Sequence, residues 1–231
     1  MALIREAKPS ADLAAYVDAY WWTDPSSSEA MTRVIPDGCA DVILDHGGAF
    51  VVGTMTRPLE AQTSPGMFGI RFRPGRAALA LRAPLTSLTD ARVPLRDITR
   101  HFPAIDPQRI DNVEKSLRSL LADVEPDRRV DAAVGALVRS GGRATIERVA
   151  AEAGVSRQHL ARAFAYHVGV SPKIFARVMR FRRALALARR GNQAWADLAV
   201  ELGYFDQSHL IAEFREFAGE TPVPFFLSPA A

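Results

Sequence analysis

The chain has 231 residues, a formal net charge of +3, 48% hydrophobic residues and one cysteine, Cys39. This composition predicts one or two globular domains with apolar cores and excludes a disordered chain. A single cysteine also excludes an intramolecular disulfide and a cysteine-based zinc cluster. No apolar run approaches the roughly 18 residues that cross a bilayer, and charged residues stand where a signal peptide needs apolar ones. We therefore expect a protein of the reducing cytoplasm.

The basic residues are concentrated in the second half of the chain. Residues 1–126 hold 14 Lys/Arg and 16 Asp/Glu, whereas residues 127–231 hold 15 and 10. Between residues 139 and 190 there are 12 basic residues against only Glu147 and Glu152. A cluster of this density indicates a surface that binds a nucleic-acid backbone, although a merely solvated basic face has the same composition.

The amino-terminal segment, up to Asp24, carries a helical pattern. Ser10 is a suitable cap, and the apolar residues after it recur at three- and four-residue steps. This predicts a helix with one apolar face: Leu13, Tyr16, Val17 and Tyr20. Trp21 and Trp22 follow directly, and they either pack in a core or contact a ligand.

From Met31 to Arg73 short apolar runs alternate with glycine and proline, which is typical of β-strands. The predicted strands are 32–35, 40–44, 49–52 and 67–73. Together they predict a small antiparallel sheet or partial barrel.

Two helical patterns follow the strands. The first, over residues 76–90, is interrupted by Pro84. The second, about 107–122, has apolar residues at near-heptad spacing, and this stripe must be buried on the sheet or against a second copy of the chain. Its members are Ile110, Val113, Leu117, Leu120 and Leu121. The polar, proline-containing segment 124–129 then predicts a boundary between domains 1–125 and 126–231.

The second domain repeats one arrangement twice, after a predicted helix over 130–139. In each copy an amphipathic helix runs into a glycine, Gly154 or Gly203, which allows the positive φ of a sharp turn. A capping residue, Ser156 or Asp206, then opens a second apolar-periodic helix. This pattern predicts two helix-turn-helix motifs, at about 146–166 and 195–217.

Two such units joined by a helix over 171–190 resemble the DNA-binding domain of the AraC/XylS family of bacterial transcription regulators. The most specific segments are GYFDQSH and the GVSP and GETP turns. In the first domain, IPDGCADVIL and GIRFRPG are similar to a small β-barrel sensor found in some members. The resemblance implies an α+β fold, with a small β-rich sensor domain ahead of an all-α tandem helix-turn-helix domain. It also implies double-stranded DNA as partner, dimerisation through the helix at 107–122, and RNA polymerase as a further candidate partner.

The helix over 171–190 would be about 30 Å long, close to the ~34 Å between successive major-groove segments on one face of DNA. One chain would therefore reach two neighbouring turns of a duplex. Four basic residues of this helix are predicted phosphate contacts or solvated charges: Lys173, Arg177, Arg180 and Arg183.

Base contacts are expected from exposed positions early in the second helix of each motif, because the amino-terminal turns enter the groove. These are Arg157, Gln158, Ala161 and Arg162 in the first unit, and Gln207, Ser208 and Ile211 in the second. By resemblance, Gln158 and Arg162 match positions that face bases. The chain has Ala212 and Ala165 where the family often has basic residues, so we expect the first unit to carry most base discrimination.

The chain shows no nucleophile constellation or phosphate-binding loop, so we expect neither catalysis nor a cofactor. Metal binding is likewise not expected, because the spacing of the ligand-type residues is unsuitable. These residues are Asp37, Cys39, Asp41, Asp45 and His46. An enzyme with a DNA-targeting tail would need a catalytic group that is not found.

The remaining hypotheses concern the first domain. It binds a small apolar or aromatic effector, or it serves only dimerisation or protein contact, or it senses oxidants through Cys39. The candidate effector residues are Trp21, Trp22, Cys39, Phe50, Phe68 and Phe72.

Overall fold

The structure is a computed structural model that describes residues 4–191 and 194–227. The strands are β1 (Ile4–Ala7), β2 (Val17–Thr23), β3 (Ala30–Val34), β4 (Ala40–Asp45), β5 (Gly48–Val52), β6 (Leu59–Thr63), β7 (Phe68–Phe72) and β8 (Arg92–Pro94). The helices are α1 (Ala77–Leu81), α2 (Leu95–Ile98), α3 (Ile110–Leu121), α4 (Arg128–Arg139), α5 (Ile146–Glu152), α6 (Arg157–His167), α7 (Pro172–Ala188), α8 (Trp195–Leu202), α9 (Gln207–Ala218) and α10 (Pro222–Leu227). The predicted α+β architecture, an antiparallel sheet followed by a helical region, is confirmed.

The main sheet has six antiparallel strands in the order β1-β2-β7-β4-β5-β8. Side chains alternate between its two faces, and one face packs on α1 and α3. Tyr20, Ile70 and Val42 lie at the centre of this core with no exposed surface. Strands β3 and β6 leave the sheet and pair only with each other as a two-stranded arm, here called the β3–β6 arm.

The predicted helix in the amino-terminal segment is wrong. Residues 11–16 form turns with helical hydrogen bonds, from the Ala14 N–H to the Ser10 carbonyl at 3.0 Å and from the Val17 N–H to the Leu13 carbonyl at 2.9 Å, and the chain then enters β2. The helical spacing of Leu13, Tyr16 and Val17 marks a short helical turn that ends where β2 begins. From Val17 onward the chain pairs on both sides, with β1 and β7, and this pairing outweighs the helical pattern of the later residues.

The four predicted strands correspond to β3, β4, β5 and β7. Besides β1 and β2, the prediction missed β6 and β8. Strand β6, LEAQT, is polar because only Thr63 in it is buried. Strand β8 has only three residues. Neither strand carries the alternating apolar pattern that a sequence window detects.

The apolar stripe of the predicted helix over 107–122 is buried within the chain itself. Val113 and Leu117 of α3 are fully buried, and Leu120 and Leu121 are nearly so, all in the core beneath the sheet. Of the two predicted alternatives, burial on the sheet of the same chain is therefore confirmed, and the stripe is not free to form a dimer contact.

The helical region contains both predicted units. Helices α5 and α6 form the first and α8 and α9 the second. Gly154 and Gly203 take the predicted left-handed conformation, with φ of +68° and +74°. The long helix α7 lies between the units and has 17 residues, or about 25 Å, rather than the predicted 30 Å. Ser171 caps its first turn by accepting from the Ile174 N–H at 3.2 Å.

The first unit packs on the amino-terminal turns of α7 and the second on its later turns, and Ile174 and Met179 contact both cores. Phe164 of α6 meets Phe175 with ring centroids 5.8 Å apart, and Phe214 of α9 meets Phe181 at 5.2 Å. These two anchors on α7 are six residues apart, which is about 9 Å along the axis and about 120° around it. The two units are therefore displaced around α7 as well as along it.

The sheet region contacts both units at equivalent turns. Thr54 donates to the Val168 carbonyl and Thr89 to the Gly169 carbonyl, both at 2.6 Å, where α6 ends. The β3–β6 arm reaches the second unit, where Arg33 pairs with Glu220 just after α9. The sheet region thus contacts the GVSP turn (169–172) directly, and it contacts the GETP turn (219–222) through the β3–β6 arm.

Candidate nucleic-acid interface and ligand cavity

Helix α6 presents a polar face to solvent. Ser156 opens it by accepting from the His159 N–H at 3.2 Å, and Leu160 and Phe164 are fully buried in the first unit's core. Because these two apolar residues fix the rotation of the helix, most other positions of its first two turns face outward, whereas Ala163 packs on the core. The predicted base-contact residues on this exposed face are Arg157, Gln158, Ala161 and Arg162. The Arg157 guanidinium pairs with Glu147 at 2.7 Å, and both side chains are exposed.

Helix α9 is built in the same way. Asp206 caps it by accepting from the His209 N–H at 2.7 Å, and Leu210 and Phe214 point into the core. Gln207 and Ser208 are exposed as predicted. Ile211, also predicted as a base contact, is only half exposed because it packs against the apolar cluster of the second unit, with Leu198 and Leu202.

Two of the four predicted phosphate contacts on α7 are engaged inside the protein. Glu213 of α9 is 2% exposed and accepts from Arg177 Nε at 2.8 Å and from Arg180 Nε at 3.4 Å. Arg177 also pairs with Glu216. Arg177 and Arg180 therefore hold α9 against α7, and their prediction as phosphate contacts or solvated charges is corrected. Lys173 and Arg183 are exposed.

An arginine that was not among the predicted phosphate contacts lies at the junction of the two units. Arg143 follows the turn after α4, and its Nη1 donates to the Glu201 carbonyl on α8 at 3.3 Å. With Arg139 and Arg183 it lines a cleft of about 180 Å³ between the units. All three arginines are exposed, which suits contacts to a phosphate backbone. In the sequence Arg143 was counted only among the 12 basic residues between positions 139 and 190.

The six candidate effector residues do not form one site. Trp21 and Phe50 pack together on one face of the sheet, where Trp21 Nε1 donates to Asp41 Oδ1 at 2.8 Å. Phe68 and Phe72 lie in the core on the opposite face, with Trp22 partly buried beside them. The prediction that all six surround a single ligand is therefore wrong, because neighbouring strand residues point to opposite faces.

A cavity does lie at the edge of the core, between the β4–β5 hairpin and the segment 94–108. Its volume is about 1010 Å³, and its apolar lining includes Leu44, Phe50, Phe102 and Ile105. A neighbouring cavity of about 430 Å³ is lined by Trp22 and Phe68, among others. The two cavities share Gly66, Pro107 and Gln108 in their linings. We call these two neighbouring cavities the paired cavity. Three of the predicted effector residues, Trp22, Phe50 and Phe68, line it.

Cys39 lies in the turn before β4 and is half-buried. Desolvation of the thiol, together with the nearby Asp37 and Asp41 carboxylates, raises the pKa of Cys39 well above its ordinary value. A thiol that keeps its proton at neutral pH is a poor nucleophile, so its environment does not favour redox sensing.

Asp41 and Asp45, near the two ends of β4, have partners within the protein. Burial raises the pKa of Asp41 to about 6 although Arg71 lies 3.5 Å away and opposes the shift. Asp45 accepts from the Gly47 N–H and pairs with Arg92.

Within residues 4–191 and 194–227, no three His, Cys, Asp or Glu side chains are grouped to hold a metal ion. In the same residues, no helix has the length and apolar character needed to span a bilayer.

Comparison with protein families gives one match for each region. Residues 149–226 match the family described as a helix-turn-helix domain. Residues 5–94 match a domain family of unknown function, DUF6597. A curated relative from Haemophilus influenzae, an uncharacterized HTH-type transcriptional regulator, is 31% identical over 77 residues. That alignment covers 33% of this chain and 26% of the relative, so the chain spans about a quarter of the relative's length.

Solved structures of ToxT from Vibrio cholerae are weakly similar. One aligns over 98% of this chain and 96% of its own, with 12% identity and a TM-score of 0.42. Another, described as bound to an unsaturated fatty acid, covers 100% of this chain and 96% of its own, with 13% identity and the same TM-score. Similarity at this level is too low to support a conclusion about the chain.

Proposed function

We propose that this chain, whose carboxy-terminal part is an AraC-type helix-turn-helix domain, is a transcription regulator that binds duplex DNA sequence-specifically. The observation that carries the proposal is the pair of capped helices α6 and α9, each with a polar, exposed first turn and a buried apolar face. We assign residues 126–231 to DNA binding and residues 1–125 to its control.

Both units are anchored on one rigid helix, so a single chain presents two reading helices in a fixed relationship. In each helix-turn-helix motif the amino-terminal turn of the second helix enters the major groove. Arg162 and Gln158 of α6 suit this role, because arginine pairs bidentately with guanine and glutamine with adenine. Helix α9 offers Gln207 and Ser208, and its cap is fixed by Asp206. Lys173, Arg183 and Arg143 are the proposed contacts to the backbone.

Arg162→Ala and Lys173→Ala are expected to weaken DNA binding in different ways. Loss of Arg162 should cost about 1–3 kcal/mol at one base position and relax the preference there. Loss of Lys173 should weaken binding to all sequences alike. It should also reduce the slope of log K against log salt concentration by about 1, which corresponds to one lost phosphate contact. Selection of binding sites from random duplexes, followed by salt titration, measures both. The roles assigned here are refuted when the selected site is the same for Arg162→Ala as for the unaltered chain, or when Lys173→Ala changes it.

The paired cavity beside the β4–β5 hairpin is the proposed effector site. Its size suits a small organic molecule, and its lining of aliphatic and aromatic side chains favours an apolar or aromatic ligand. Asp45, His46 and Arg96 at its rim supply polar groups that would orient such a ligand. Residues 94–108 form one wall of this cavity, and residues 85–93 come directly before them. This preceding segment contacts the first unit, because Thr86 and Thr89 donate to the carbonyls of Ala165 and Gly169. A ligand that moves the segment 94–108 would therefore act close to the end of α6.

Ile105→Arg is expected to abolish binding of a ligand at this site, because it places a charge on the wall of the cavity. A small-metabolite library screened by thermal shift identifies compounds. A compound that binds only the folded chain, at a free concentration of 100 times its dissociation constant, raises the free energy of unfolding by about 2.7 kcal/mol. Ala11→Arg, at an exposed turn remote from the cavity, should retain the full shift. A shift that persists in Ile105→Arg would place the ligand elsewhere.

A further inference from the structure

The turns of the two helix-turn-helix units differ by one residue. In the first unit Gly154 ends α5, and the next residue, Val155, donates its N–H to the Ala150 carbonyl at 3.0 Å. Val155 is half-buried and packs on the first unit's core. Ser156 follows immediately and caps α6. One residue therefore separates the glycine from the cap.

In the second unit Gly203 ends α8, and Tyr204 donates its N–H to the Ala199 carbonyl at 2.9 Å. Tyr204 thus occupies the position of Val155, and it is likewise packed inward, at 6% exposure. The cap, Asp206, comes one residue later than in the first unit. Phe205 is the additional residue, and it has no counterpart in the first turn.

The core of the second unit does not need Phe205. Its side chain is 91% exposed, the largest value among the bulky apolar residues of the described chain. Tyr204 already fills the inward position, so the additional residue is free to point into solvent. A single exposed apolar side chain is ordinary on a protein surface, and it is the location of Phe205 that gives it a role.

Phe205 lies directly before the cap of α9, beside the proposed base-contact residues Gln207 and Ser208. The turn is fixed on both sides by His209, whose N–H binds the Asp206 carboxylate while its Nδ1 accepts from the Phe205 N–H at 3.4 Å. When the first turn of α9 enters a major groove, the ring of Phe205 enters with it. In the major groove, the apolar group that the bases expose is the C5-methyl of thymine. Phenylalanine is one of the side chains that contact this methyl group.

We propose that Phe205 reads a thymine through its methyl group and gives the second unit a base preference of its own. This inference rests on the proposed DNA binding. It also changes the expectation from sequence, in which Ala212 leaves the second unit with little base discrimination and the first unit carries most of it. The second unit thus adds a methyl contact to the polar contacts of Gln207 and Ser208, whereas the first reads hydrogen-bond donors and acceptors through Arg162 and Gln158.

Phe205→Ala tests this proposal without a risk to folding, because the side chain is almost fully exposed. Sites selected from random duplexes by the unaltered chain should contain a thymine that Phe205→Ala no longer prefers, with all other positions unchanged. Replacing that thymine by uracil, which lacks only the methyl, should weaken binding by the unaltered chain about fourfold. The same replacement should leave the affinity of Phe205→Ala unchanged.

Val200→Ser is the matched control, since Val200 is 79% exposed on α8 but lies outside the turn and α9. It should select the same sites as the unaltered chain and show the full uracil effect. An unchanged profile for Phe205→Ala overturns the proposal, and so does an equal loss of affinity for every sequence, which would indicate a sugar–phosphate contact. Failure of the unaltered chain to bind any duplex at low salt instead overturns the proposed function itself.

Discussion

Glu213→Ala is expected to lower the free energy of unfolding by about 3–5 kcal/mol, because it removes one partner of a buried charged network. Glu213 is 2% exposed, and its carboxylate accepts from Arg177, from Arg180 and from the Tyr204 hydroxyl at 2.9 Å. Burial and this carboxylate raise the pKa of Tyr204 well above its usual value, so the phenol stays protonated and keeps donating. Truncation would leave the hydroxyl and the Arg180 guanidinium without their acceptor.

This network joins the parts of the second unit. Arg177 and Arg180 belong to α7, Glu213 to α9, and Tyr204 to the turn before α9. Arg180 also lies over the Tyr204 ring, 4.7 Å from its centroid, and Arg177 lies 5.0 Å from the Phe217 centroid. Glu213→Ala should therefore loosen α9 on α7 and weaken DNA binding more than a surface change would.

Urea unfolding followed by the helical circular dichroism signal measures the effect, and Glu216→Ala supplies the control. Glu216 also pairs with Arg177, but it is 50% exposed, so its loss should cost about 1 kcal/mol or less. Equal effects of the two substitutions would contradict a structural role specific to the buried carboxylate.

Gly142→Ala is expected to destabilise the helical region by about 3 kcal/mol or more. Gly142 lies in the turn between α4 and α5 with φ of +74°, a conformation that costs a residue with a side chain about 1–2 kcal/mol. A Cβ at this position would also stand 1.9 Å from the Ala176 carbonyl oxygen of α7. That neighbour is backbone within a long helix and cannot move aside alone, so the first unit would have to shift away from α7.

Gly154→Ala separates the two contributions to this effect. Gly154 has a similar φ of +68°, but a Cβ there would meet nothing within 4 Å. Only the backbone conformational term applies, so we expect a loss of about 1–2 kcal/mol in urea unfolding. If Gly142→Ala costs no more than Gly154→Ala, the close approach of this turn to α7 is not present in solution.

The helix-turn-helix units could be predicted from sequence because their signals are local. A left-handed glycine, a cap and apolar residues at helical spacing all lie within about 20 residues, and each acts on the backbone around it. Helix α3 was found for the same reason, and so were the strands with alternating or continuous apolar residues. The predicted amino-terminal helix was wrong because the residues that continue its spacing after Tyr16 belong to β2, which pairs on both sides.

The sequence by itself therefore determined the α+β architecture, the tandem motif and the outward face of α6. Tertiary structure alone decided that the stripe of α3 packs under its own sheet, and that Arg177 and Arg180 bind a carboxylate on α9, far along the chain. It also decided that the two units anchor on different sides of α7, and that Phe205 is left exposed beside a buried Tyr204. Backbone preferences depend on near neighbours in the chain, whereas the partner of a side chain depends on how distant segments pack.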